Sequence, residues 1–145
     1  MVWVNQDKCA IVGVGATDYY VRGQSHPRTI NDMVGEAILK ACEDAGLSVR
    51  QIDGFAYYSG AQMGYGDKAD TASLMEMLGI PEITFSAALT SGGGGAAGAV
   101  GLATAAIMNE DATHVVTVMA LQQYKQRLGT VFGASAPSPE NSFLQ

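Results

Sequence analysis

The sequence predicts a layered α/β domain, and three observations point to it. Short apolar runs rich in β-branched and aromatic residues alternate with segments whose apolar positions recur at helical spacing. Several of those runs are apolar on both faces, as strands buried in a parallel sheet are. Glycine clusters between the periodic segments, at Gly13 and Gly15, at Gly60, Gly64 and Gly66, and in an unbroken run at 92–95.

Each element follows in order. Cys9-Ala-Ile-Val-Gly-Val-Gly15 reads as a buried first strand ending in a glycine turn. Apolar residues at Ile30, Met33, Val34, Ala37, Ile38 and Ala41 predict a helix over 29–45. Thr29 and Asp32 supply its N-terminal cap, Gly46 its stop, and His26-Pro-Arg28 its entry. After a connector that packs Leu47 and Ile52, the aromatic run Gly54-Phe-Ala-Tyr-Tyr58 predicts a second strand. Residues 70–78, stopped by Gly79 and Pro81, predict a short second helix. Ile83-Thr-Phe-Ser-Ala-Ala88 predicts the third strand, which runs into the glycines. From Gly95 to Met108 the chain is almost all Ala, Gly, Val, Leu and Ile, so the helix predicted there is expected to be buried on nearly every side. His114-Val-Val-Thr-Val-Met-Ala120 predicts a fourth strand.

The order βαβαβαβ, with crossovers long enough for parallel pairing, gives a mainly parallel sheet flanked by helices over 1–120. Residues 121–145 hold Gly129, Gly133, Pro137 and Pro139 with no sustained period, and are expected to begin an irregular loop region of a longer protein.

Composition excludes several function classes. The 145 residues are 48% hydrophobic and 15% charged, far from the disordered class. The net charge is -6, with 8 Lys+Arg scattered singly among 14 Asp+Glu. Nucleic acid is therefore not an expected partner, since neutralising phosphates takes clustered cations. No apolar stretch of about 18 residues occurs, so no membrane span is expected. Cys9 and Cys42 form no metal-ligand spacing and are expected to be small buried hydrophobes in a cytoplasmic protein.

Two glycine motifs invite a chemical reading. Gly13-Val-Gly15-Ala-Thr-Asp18 follows a predicted strand, but a dinucleotide fingerprint wants glycine where Asp18 stands and a helix that starts at once. Ser91-Gly-Gly-Gly-Gly95 has the better context, between a strand and a buried helix. The first N–H groups of such a helix lack internal partners and stabilise an anion or a developing oxyanion. The plainer account is a flexible linker or a close helix contact. For Ser91 a turn hydroxyl is favoured over a nucleophile, since no His or Asp arrangement activates it. For Tyr57 and Tyr58 packing is favoured over a pocket role, and His114 reads as structural.

Lys8-Cys-Ala-Ile-Val-Gly-Val-Gly-Ala-Thr-Asp18, Ala41-Cys-Glu-Asp-Ala-Gly-Leu47, Ile52-Asp-Gly54, the glycine loop with its Ala-rich helix, and Asp111-Ala-Thr-His-Val-Val116 together resemble the N-terminal half of the thiolase superfamily. The resemblance is closest to the thiolase-like, lipid-transfer-protein-like branch that includes steroid side-chain aldolases. Thiolases carry a nucleophilic cysteine at the start of the third helix, where this chain has Gly92 or Gly93. The aldolases also lack that cysteine.

The resemblance therefore implies retro-aldol cleavage of a β-hydroxyacyl-CoA, with Gly92, Gly93 and Gly94 as a main-chain oxyanion site and a base outside this chain. Ser91, Gly95, Lys125 and Arg127 are the candidates for holding the substrate. Coenzyme A enters as part of the thioester, with no permanently bound cofactor and no metal. A homodimer through residues 83–88 (Ile83 to Ala88) and a small OB-fold partner protein are implied as well. The alternatives are thiolase activity and a non-catalytic lipid-binding or scaffold subunit.

Overall fold

The computed structural model describes residues 7–21, 24, 27–59, 69–89 and 94–120. Three parallel strands form the sheet: β1 (Gly54–Ser59), β2 (Phe85–Leu89) and β3 (Val115–Ala120), in the order β2-β1-β3. Gly54 of the central strand lies opposite Phe85 on one side and Val115 on the other. Helices α1 (Ile30–Ala45) and α2 (Thr71–Leu78) pack with one face of the sheet, and α3 (Gly95–Met108) covers the other.

The helix boundaries have local causes. Asp32 N–H donates to the Thr29 hydroxyl at 3.1 Å while Thr29 N–H donates to the Asp32 carboxylate at 2.9 Å, a reciprocal cap that starts α1. Gly46 stops it in the left-handed region, at φ 67°. The Asp70 carboxylate accepts from Ser73 N–H at 2.9 Å to start α2, and Gly79 closes it at φ 66°. A single turn of 3-10 helix (Val49–Gln51) leads into β1.

Alternation along β1 sorts its side chains between the two layers. Phe55, 1% exposed, joins Ile30, Val34, Ile38, Cys42, Ile52, Leu74 and Ile80 in the larger core under α1 and α2. Ala56 points the other way, onto Ala99 and Ala103 of α3. At the N-terminal end of the sheet, Asp53 ties the strands together. Its carboxylate accepts from Thr113 N–H at 2.8 Å and from His114 N–H at 2.7 Å, and its carbonyl accepts from Thr84 N–H at 2.8 Å.

Two expectations are corrected. Residues 9–15 do not form a strand, so the described sheet has three strands, not four. The segment lies along α1, where a Cβ on Gly13 or Gly15 would overlap the carbonyl oxygens of Ala41 and Ala37. Val14 N–H donates to the Asp44 carboxylate at 2.9 Å and Lys40 Nζ to the Ala16 carbonyl at 3.1 Å. The bare glycines thus face the helix and the branched side chains face outward, with Ile11, Val12 and Val14 75%, 61% and 71% exposed. An apolar run alone cannot tell this arrangement from a buried strand. Cys9 is accordingly half-buried, whereas Cys42 is buried in α1, where desolvation raises its thiol pKa.

Nor is α3 buried all round. Gly95, Ala99, Ala103 and Ala106 face the protein, while Ala97, Val100, Gly101, Thr104 and Ala105 are exposed. Among the described residues only the sheet covers it, from one side.

Arg28 and Lys40 both pair with Glu36, at 2.6 and 2.7 Å, on the surface of α1. Hydrogen bonds from Lys40 and Arg28 hold the Glu36 carboxyl below the ordinary 4.5. Those from Thr29 and Ser73 hold Asp32 and Asp70 below 3.8. A depressed folded-state pKa stabilises the fold above the unfolded value, and that stability is lost as pH falls through the folded one. Carboxyl NMR titrations should therefore place all three midpoints below their ordinary values, with α1 and α2 loosening under acid below about pH 4. Asp53→Ala should cost about 2–3 kcal/mol in urea unfolding, since two amides lose a charged acceptor.

Candidate functional site

In open parallel sheets ligands gather outside the C-terminal ends of the strands. Here that edge carries Tyr58 of β1 and Leu89, the last residue of β2, and the N-terminus of α3 meets it where Gly95 packs on Tyr58. The first main-chain bond of α3 runs from Gly98 N–H to the Gly94 carbonyl at 2.9 Å, so the N–H groups of Gly95, Ala96 and Ala97 precede the ladder. α1 and α2 each have a side-chain cap, but Gly94 caps α3 with none, and the first turn carries no acidic residue. The positive end of the helix dipole is therefore offset by no local carboxylate on α3.

Gly95 is buried because the Tyr58 ring lies against it. A Cβ there would overlap ring atoms Cδ2 and Cε2. Tyr58 itself is 6% exposed. Three positions on, Gly98 meets only Leu89 at ordinary contact distance, and nothing lies within 4 Å of a Cβ at Gly101. The demand for glycine is thus confined to the mouth of the helix.

Of the residues singled out from sequence, Gly94 and Gly95 stand at this mouth, Gly94 exposed and Gly95 buried. Ser91, Gly92, Gly93, Lys125 and Arg127 lie outside the described residues, as do His26, the loop glycines Gly60, Gly64 and Gly66, and the segment 121–145. Tyr57 is half-buried, on the opposite face of β1 from Tyr58. His114 is half-buried, and its main chain serves Asp53.

The pairing of Tyr58 with Gly95 escaped the sequence reading. Its signal was present: in Phe55-Ala-Tyr-Tyr58 the face shared by Ala56 and Tyr58 must meet a helix made almost wholly of Gly and Ala, and a large ring needs a bare backbone there.

A groove of about 480 Å³ lies elsewhere, between residues 8–13 and β3, with Ala41, Cys42 and Ala45 of α1 on one side and Val100, Ala103 and Ile107 of α3 on the other. It flanks the outer edge of β3, away from the mouth of α3, and among the described residues that line it Lys8 and His114 are the basic side chains. Among the described residues no cluster of three or more His, Cys, Asp or Glu could hold a metal, and no helix is long and apolar enough to cross a membrane.

No family model matches the chain. Over 127 residues it is 33% identical to the 17-hydroxy-3-oxo-4-pregnene-20-carboxyl-CoA lyase of Mycobacterium tuberculosis, a match covering 87% of this chain and 30% of that protein. It is 32% identical over 127 residues to a steroid side-chain-cleaving aldolase of Thermomonospora curvata, covering 86% and 29%. The chain thus spans about 30% of the length of the curated relatives it matches.

Among solved structures, the Ltp2-ChsH2(DUF35) aldolase superposes with a TM-score of 0.70 at 27% identity, over 92% of this chain and 32% of that one. The 3-oxoacyl-(acyl-carrier-protein) synthase III of Aquifex aeolicus superposes with a TM-score of 0.59 at 14% identity, over 75% and 43%, and speaks to the fold alone. Fold and sequence together bear out the resemblance to the thiolase superfamily, on its steroid side-chain aldolase branch.

Two glycine substitutions in the same helix should move in opposite directions. Gly95→Ala forces a methyl into the Tyr58 ring and should cost about 1–3 kcal/mol. Gly101→Ala meets nothing and should gain about 0.5–1 kcal/mol from helix propensity. Thermal unfolding of the two variants beside the parent checks both signs.

Proposed function

We propose that this chain belongs to the N-terminal half of a CoA-thioester lyase that cleaves a steroid side chain by a retro-aldol reaction. The observation that carries the proposal is identity of about one third, over 127 residues, with two proteins named for that class of cleavage. The main-chain arrangement at α3 supports it, because its uncapped first turn offers donors at the C-terminal edge of the sheet.

The chemistry balances without a covalent enzyme intermediate. A base takes the proton of the substrate's β-hydroxyl, the Cα–Cβ bond breaks as a ketone forms, and the electron pair moves onto the thioester carbonyl as an enolate. The enolate is then protonated at carbon to leave the shortened acyl-CoA. Negative charge grows on the thioester oxygen, and the amides of Gly92, Gly93 and Gly94 are the donors assigned to it. The base comes from the rest of the protein, so the 145-residue chain alone is inactive.

Ser91 and Gly95 border this oxyanion site, and Lys125 and Arg127 are assigned to the phosphates of the CoA moiety. Coenzyme A is present only as part of the substrate. A small OB-fold protein is the proposed partner, supported by the name of the Ltp2-ChsH2(DUF35) complex. β2 has an unpaired outer edge among the described residues, which supports a homodimer formed through that strand. The proposed location is the cytoplasm.

Incubating the full-length protein and its OB-fold partner with a steroid β-hydroxyacyl-CoA should release a ketone and a shortened acyl-CoA without added coenzyme A. Cleavage that requires free coenzyme A would identify thiolysis instead, and binding without turnover a scaffold.

A further inference from the structure

We propose that Tyr58 is a catalytic residue of this site, donating its hydroxyl hydrogen to the thioester carbonyl oxygen as that oxygen becomes an enolate. The proposal rests on the aldolase reading above and adds a side-chain donor to the main-chain amides.

The first observation is an unsatisfied group. Tyr58 is 94% buried, being 6% exposed, yet its hydroxyl makes no hydrogen bond among the described residues. A buried tyrosine hydroxyl ordinarily finds a partner, so one without a partner among the described residues is matched to a ligand or an ordered water.

The second is position. Tyr58 is the penultimate residue of β1, at the strand end where ligands of parallel sheets sit. Its ring atoms Cδ2 and Cε2 pack on the bare Cα of Gly95, and the hydroxyl is two bonds beyond Cε2. This places the group beside the first turn of α3, whose N–H groups carry no side-chain cap.

The third is charge. No acidic residue stands in that first turn to accept the phenolic proton, so the hydroxyl stays available to an incoming oxygen. A phenol and the amides of a helix start are all donors, and together they fit an acceptor that gains negative charge. No covalent step involves Tyr58: it keeps its proton, and the proton taken from the β-hydroxyl travels through the base to carbon.

Tyr58→Phe in the full-length protein with its OB-fold partner separates this role from packing, because phenylalanine fills the same volume and removes only the unpaired oxygen. Ketone release from a steroid β-hydroxyacyl-CoA should lose about 100-fold in kcat, the scale of deleting one oxyanion donor, with KM within about twofold and Tm equal to or above that of the parent. A variant with the parent's kcat overturns the assignment whatever its Tm, and one that loses kcat and Tm together overturns it in favour of a structural role. A parent protein that releases no ketone overturns it together with the aldolase reading, whereas a failure confined to the variant leaves that reading standing.

Discussion

The Asp53 carboxylate is the contact on which the rest of the described structure depends. Parallel strands have no hairpin to fix their register, so something at the start of the sheet must set it. Asp53 does so from the residue before β1: its side chain accepts two successive amides at the entry to β3, and its carbonyl accepts from Thr84 at the entry to β2. The Thr84 hydroxyl reaches on to the Asp111 carbonyl at 2.5 Å, closing the tie between the loops that feed the two outer strands. Gly54 follows because a Cβ at that point would press on Val115 Cγ2 at 2.8 Å. With the register fixed there, the opposite ends of the strands are positioned too, and with them the place where α3 begins.

At that opposite end the governing constraint is steric. A helix composed mostly of Ala and Gly can approach a sheet closely, and α3 rests Ala99 and Ala103 on Ala56. A sheet face of small residues would leave a void at the first turn, and the Tyr58 ring fills it. The same ring excludes any side chain at position 95. Position and glycine requirement thus have one cause, and the donors of the first turn are held against a fixed plane instead of a mobile chain.

Much of this was legible in the sequence. Caps are local chemistry, so Thr29, Asp32 and Gly46 mark the ends of α1, and Gly95 to Met108 marks α3 to the residue. Strands 54–58 and 83–88 shift by one or two positions, because pairing rather than composition decides where a strand starts. The misreading at residues 9–15 is of another kind. Glycines interleaved with valine and isoleucine fit a buried strand and a chain pressed on a helix backbone equally well, and only the carbonyls of Ala37 and Ala41 distinguish them. Likewise the composition of α3 records the close approach of the sheet on one side and says nothing of what faces Val100 and Gly101 on the other. Of the site, the glycine run was visible as a run, while Tyr58 was not, because its partner is 37 residues along the chain (95 − 58) and only the fold joins them.

The cysteines of this chain bear on the chemistry through where they sit. A thiolate nucleophile at a helix start works because the dipole and free amides lower its pKa. Cys42 has the opposite environment: it is buried in α1, across the sheet from α3, where desolvation raises its thiol pKa. Cys9 lies on the segment beside α1. Neither sulfur stands at the mouth of α3. What stands there is donors, and donors lower the energy of an enolate without having to attack anything. The retro-aldol cleavage proposed above asks no more of this chain than that, since its bond-breaking electrons come from the substrate's own alkoxide.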